Sequence, residues 1–360
     1  MVAFMTNRFQ LNDFYKCPLS AERMDLMAVS WKPIPLYFFG SGIIFTLAYF
    51  VCFLAMLQLK RHPSNILMLK LAIYDILQLS VNSTATGFFG FYQIDYCDYP
   101  KSIFIAGTIG NGAWLAGAPF AVLVSFERLA EVAGGRMSDV FTKRNFRTLL
   151  ILLLFWEFYC FFIANPALFN SEAHAWFFAP SFSKNPDIYY NPVHSVINYG
   201  LPILLLAINA SLVHFLLFKT NYHISQWLYK KKIQIIAQGL VLTIFHASTG
   251  IIYEIMQHYA VPSWMFIVGE LSWQQSSAMM PVVYLTLNRS IQNQVMYLMI
   301  PKNLRFKWGI KNVKETIAQE NNQNAGALYV APPAPAGGAA GGCGAKVGPQ
   351  PQVSNGIHWD

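Results

Sequence analysis

Glu127 and Arg128 close the run Ala121-Val122-Leu123-Val124-Ser125-Phe126. An acid beside an arginine at the end of so apolar a stretch could do one of two things. The guanidinium could snorkel to the lipid headgroups as an anchor, or it could change partners between two packings of a helix bundle and act as a switch. Polar groups recur inside other apolar stretches and share faces there. Asp75, Gln78 and Asn82 fall within about 60° of one another at 100° per residue, and Glu270, Trp273, Ser277 and Tyr284 within about 40° of a common line. His246, Thr249, Tyr253 and Gln257 share a third face with Glu254 beside it, and Asn111 with Trp114 adds a fourth.

None of these groups is spaced for catalysis. His246 has no Gly-x-Ser-x-Gly serine and no His-Glu-x-x-His partner, and no carboxylate pair stands at a defined spacing on the basic side of the chain. The cysteines fall singly at positions 17, 52, 97, 160 and 343, without the spacing of a metal site. A retinal-type Schiff base needs a lysine within the last apolar stretch, and none is there. The expectation is therefore no enzyme, no cofactor and no metal.

The elements that must position these groups follow from composition. The chain of 360 residues is 55% hydrophobic and only 12% charged, whereas a soluble domain carries roughly 25% charge. Most of its surface must face lipid. Spanning a bilayer takes about 20 mostly apolar residues, and seven stretches reach that length: 34–59, 66–92, 103–129, 146–169, 193–218, 233–257 and 261–287. The fold class expected is all-α, a seven-transmembrane helix bundle. No cleavable signal peptide is apparent before it, so the first span serves as its own insertion signal.

Orientation comes from the basic residues. One set of connections holds Lys60 and Arg61, then Arg136, Lys143, Arg144 and Arg147, then Lys219 and Lys230 to Lys232, then Arg289, Lys302, Arg305 and Lys307. The opposite connections hold only Lys101 and Lys184. Positive residues concentrate on the cytoplasmic side, which places the N-terminus outside. The formal charge of +8 is thus read as topology and not as a nucleic-acid surface. Cys17 and Cys97 then share the oxidising outer side, where they either pair to tie the N-terminal segment over the mouth of the bundle or remain free thiols.

Depth sorts the polar residues into two layers. At about 1.5 Å per residue from the outer helix ends, Asn111, Trp114, Tyr253, Glu254, Glu270 and Trp273 lie in the outer half and form the expected ligand pocket. Asp75 and Ser277 lie deeper, between that pocket and Arg128. The parts of the chain are an extracellular segment 1–33, the bundle 34–287, an amphipathic membrane-surface helix 288–300 with Ile291, Val295 and Leu298 on one face, and a cytoplasmic tail 301–360. From about residue 319 the tail is Asn, Gln, Ala, Gly and Pro, a composition that buries no core and is expected to be disordered.

Glu127-Arg128-Leu129 resembles the Asp/Glu-Arg-Tyr motif of G-protein-coupled receptors, and Pro281-Val282-Val283-Tyr284 resembles their Asn-Pro-x-x-Tyr motif. Asp75 and Trp156 stand where that family carries the aspartate of its second helix and the tryptophan of its fourth. More narrowly, the chain is similar to the nematode chemosensory receptors of serpentine receptor class T. The residues that carry this are Ile34-Pro35-Leu36-Tyr37, Ile73-Tyr74-Asp75 with Asn82 and Gly87, Cys97 with Pro100, Asn191 with His194, Ser195 and Asn198, and Tyr284 to Asn288.

The resemblance implies a chemosensory receptor in the plasma membrane of a sensory neuron. It would bind an extracellular small molecule and signal to a cytoplasmic heterotrimeric G protein through Glu127, Arg128, Tyr284 and Asp75. The chain departs from the pattern in four places. Met280 precedes Pro281, the sixth span has no Cys-Trp-x-Pro hinge, and no cysteine follows the fourth span. Lys230-Lys231-Lys232 supplies no acid for Arg128, which makes Glu127 its expected resting partner. A seven-span ligand-gated channel of the insect odorant type, with its N-terminus inside, is the alternative.

Overall fold

The computed structural model describes residues 10–17, 32–180, 183, 185–219 and 226–307. Most of the outer segment 1–33 and the tail expected to be disordered from about 319 lie outside the described residues. Seven long helices form the bundle: α1 (Pro33–Leu57), α2 (Pro63–Phe91), α3 (Pro100–Ala133), α4 (Lys143–Ile163), α5 (Pro192–Phe218), α6 (Gln226–His258) and α7 (Trp264–Leu287). A short antiparallel hairpin, β1 (Leu168–Asn170) with β2 (Ala175–Phe177), joins α4 to α5. Two further helices, α8 (Arg289–Met299) and α9 (Lys302–Lys307), follow α7.

Local chemistry sets the starts of the helices. Proline occupies the first turn of α1, α2, α3 and α5, where its missing N–H costs nothing and its fixed φ suits the helix. Asn191 and Asn288 cap α5 and α8, each accepting a backbone N–H at 3.2 Å, from His194 and Ile291. Gly134, at φ 67°, ends α3.

The first six helices are long and apolar enough to cross a membrane. The seventh matches them in length at 24 residues, but Glu270, Gln274, Ser276 and Ser277 dilute its hydropathy. All four are buried against neighbouring helices, so the polarity faces protein and not lipid. The axis of the bundle is α3: its most apolar stretch is 72% buried, against 17% for that of α4. Small residues make this possible. A Cβ on Gly107 would fall on the carbonyl of Ala167, and one on Gly87 would fall on the backbone of Phe39 in α1, so both glycines are sites of helix contact that no side chain could occupy.

The fourth span is shorter than its hydropathy implies. It ends at Ile163 and not near Phe169, because Asn165-Pro166 breaks the helix and sends Leu168 and Phe169 into β1. Phe169 packs at a tilt against Phe89 and Trp176 (ring centroids 5.6 and 5.3 Å), so the run is apolar for burial under the hairpin. A wide turn at Ser80–Ala85 interrupts α2. It shifts the register of the outer part of the helix and brings Thr86 to the bundle interior.

An ion pair that the polar stripes did not reveal crosses from α2 to α4. Lys70 Nζ lies 3.1 and 3.2 Å from the two carboxylate oxygens of Glu157, both residues well inside their helices. Glu157→Gln leaves the lysine unpaired at membrane depth, where an isolated charge costs about 2.5–3.5 kcal/mol. We expect a fall in surface level and in the unfolding temperature of the purified protein, and recovery when Lys70→Glu is combined with Glu157→Lys. A double swap no better than the single variant would show that the pair does not hold α2 to α4.

Candidate functional site

A cavity of about 260 Å³ opens between α3, α6, α7, the start of α5 and the hairpin. Asn111, Trp114, Tyr253 and Trp273 line it. Glu254 and Glu270 do not, and stand one layer behind its wall. Glu270 accepts from Tyr253 Oη and Thr86 Oγ1, both at 3.1 Å, and Thr86 in turn accepts from the Trp176 indole at 2.8 Å. This acid therefore joins three elements: α2, the outer hairpin and the pocket face of α6. Glu254 Oε1 accepts from Asn198 at 3.1 Å, Asn198 Oδ1 accepts from the Trp114 indole at 3.0 Å, and Glu254 Oε2 lies 3.3 Å from Nε2 of His258.

The reason both acids point away from the cavity is their rotation on the helix. Glu254 sits one residue beyond the Tyr253 face of α6, turned toward α5. Glu270 on α7 reaches Thr86 because α2 has been advanced by its wide turn. Residues of the wall that the polar stripes did not include come from outside the helix interiors: Trp176 and Phe177 of β2, Phe178, Tyr189, and His194 at the first turn of α5. The signal available in the sequence was the aromatic density of the segment between α4 and α5.

The N-terminal strap borders the same cavity. Cys17 and Cys97 are joined by a disulfide with Cα atoms 5.7 Å apart. Tyr189 donates to the Phe14 carbonyl at 2.6 Å and Tyr96 to the Tyr15 carbonyl at 2.8 Å. Tyr15 packs edge-on against Phe104 and Tyr189, and this burial pushes its phenol up to about 12. Since Tyr189 lines the cavity, freeing the strap should disturb it. Cys17→Ser is expected to leave Cys97 reactive to a membrane-impermeant thiol reagent on intact cells and to lower the potency of any ligand of the cavity. Labelling of the wild-type protein without reductant would contradict the tie.

Below the cavity a chain of polar contacts runs inward. The Trp273 indole donates to Gln78 Oε1 at 2.8 Å. One turn further in along α2, Asp75 Oδ2 accepts from Tyr49 Oη at 2.6 Å. Tyr49 meets Tyr284 edge to face, with ring centroids 6.1 Å apart. Tyr284 and, further in, Arg128 are both buried. Tyr49 on α1 was not among the expected site residues. With Gly117 and Met280 supplying no donor, it gives Asp75 the buried hydrogen bond that a carboxyl at this depth requires.

At the inner end the expected pairing of Glu127 with Arg128 is not what forms. Adjacent helical residues point about 100° apart, and Glu127 turns to the start of α2, where its Oε1 lies 3.6 Å from Nδ1 of His62, the residue that precedes the helix. Arg128 is buried and makes no ion pair among the described residues.

A bundle of seven long helices with lipid-facing apolar flanks, an outer cavity and buried polar groups beneath it defines the class: a multi-pass seven-helix membrane protein. Residues 1–308 match the family described as the serpentine type 7TM GPCR chemoreceptor Srt, and the chain belongs to that family. It is 24% identical over 273 residues, 73% of this chain and 74% of the relative, to serpentine receptor class T-55 of Caenorhabditis elegans. This is a family of chemoreceptors, not of enzymes.

Proposed function

We propose that this chain is a chemosensory receptor of the plasma membrane of sensory neurons, in which a small ligand in the outer cavity biases the bundle toward a state that engages a heterotrimeric G protein inside. The observation that carries this reading is the succession of buried polar and aromatic residues Trp273, Gln78, Asp75, Tyr49, Tyr284 and Arg128. It begins on the cavity wall and ends at the inner mouth of the bundle. A ligand shifts such an equilibrium only by binding one state more tightly. Trp273 is placed to report that difference because it lines the cavity on one side and donates to Gln78 on the other.

The test is a ligand screen in cells carrying a G-protein reporter and an epitope at Met1. Surface staining without permeabilisation is expected, together with a response that Trp114→Ala removes at unchanged surface level. A response that persists as an ionic current when G-protein signalling is blocked, with the epitope inside, would establish the channel in its place.

A further inference from the structure

We infer that the outer cavity selects a compact organic cation, a protonated or quaternary amine, held against aromatic faces with Asp187 as its counter-charge. The inference rests on the reading of the cavity as the ligand site and adds the chemical class of what it takes.

The first support is the arrangement of the rings. Phe178 meets His194 at 4.9 Å between centroids and 75° between planes, His194 meets Tyr253 at 6.3 Å and 72°, and Tyr253 meets Trp273 at 6.0 Å and 84°. All four residues line the cavity. Rings that meet near right angles in succession form adjoining walls and not a stack, and adjoining aromatic walls are the geometry that receives a rounded cation.

The second support is where the ring protons go. The indoles of Trp114, Trp176 and Trp273 donate to Asn198, Thr86 and Gln78, at 3.0, 2.8 and 2.8 Å. The phenols of Tyr253 and Tyr189 donate to Glu270 and to the Phe14 carbonyl, at 3.1 and 2.6 Å. Five wall residues thus direct their positive N–H and O–H dipoles away from the cavity. Those donors are spent on protein acceptors, and what remains for a ligand is aromatic ring surface, whose faces attract a cation.

The third support is charge. The described wall contains no lysine and no arginine, and its one carboxylate is Asp187, exposed and without an ion-pair partner among the described residues. Among the described residues of the wall an anion would meet neither a cation nor these ring donors. An uncharged apolar molecule would fill the space and gain nothing from Asp187. The volume of about 260 Å³ falls below the roughly 300–1,000 Å³ of pockets for drug-sized ligands, so the ligand is compact.

The experiment uses the full chain in lipid nanodiscs, with binding read from tryptophan fluorescence and from the unfolding temperature. The probes are tetramethylammonium, choline and phenethyltrimethylammonium, each beside its uncharged carbon isostere; for choline this is 3,3-dimethylbutan-1-ol. At least one cation is expected to bind tenfold or more tightly than its isostere. Asp187→Asn, a change at an exposed loop position, is expected to weaken that cation at least threefold and leave the isostere unchanged. Tyr253→Leu should weaken the cation more than the isostere. If the isosteres bind as tightly as the cations and Trp114→Ala abolishes that binding, the cavity remains the ligand site and the inference about charge fails. If no probe of either kind binds, both fail.

Discussion

Replacing Arg128 with alanine is expected to leave the receptor at the cell surface and, under the proposed coupling to a G protein, to remove at least about nine-tenths of the nucleotide exchange it catalyses, a loss of roughly 1.4 kcal/mol or more of coupling. Two features of the inner layer separate these effects. Arg128 has no ion-pair partner among the described residues, and the acid beside it is engaged with His62 just before α2, so removing the guanidinium strands no carboxylate that the fold depends on. At the same time Arg128 is the last member of the polar run and stands next to Tyr284 at the mouth where a G protein would dock. The measurement is nucleotide exchange on a purified heterotrimer with the full chain in nanodiscs, beside surface staining in cells. Exchange equal to wild type would remove Arg128 from the coupling path. A failure to reach the surface would show that it holds the fold.

The second large effect should come from a glycine with no polar chemistry at all. Gly107→Val places a side chain where the Ala167 carbonyl stands, with Trp176 next to it at 3.2 Å. Neither the helix backbone of α3 nor the start of β1 can yield without moving the hairpin that walls the cavity. The expected cost is about 3 kcal/mol, at the upper end of overpacking, with loss of the ligand response even in the fraction that folds. Gly40→Ala is the contrast, since nothing lies within 4 Å of a Cβ there. That change should be neutral or stabilising by up to about 1 kcal/mol through helix propensity. Differential scanning fluorimetry of the two purified variants checks both, and a Gly107→Val protein that unfolds at the wild-type temperature would refute the close approach.

Both predictions concern contacts between helices, and that is where reading from sequence and reading from structure part. Hydropathy gives the seven helices because span length is set by bilayer thickness and each helix satisfies its own backbone. Its largest overrun is at Phe169, where the apolar run continues into a buried hairpin. Helical period also gives the faces: Asn111, Trp114, Tyr253 and Trp273 share the cavity wall, and Asp75 lies below them. Period cannot say how far one helix is rotated or slid against the next. That is why Glu254 and Glu270 stand behind the wall, why Glu127 meets His62, and why Tyr49 and Lys70 have partners on other helices.

The sequence by itself determined the membrane class, the helix count and the family resemblance, because each depends on composition or on residues within one helix. Only the tertiary structure decided which polar groups meet. A wide turn in α2, the Gly107 approach to Ala167 and the tie of Cys17 to Cys97 set the placement of the outer groups that wall the cavity.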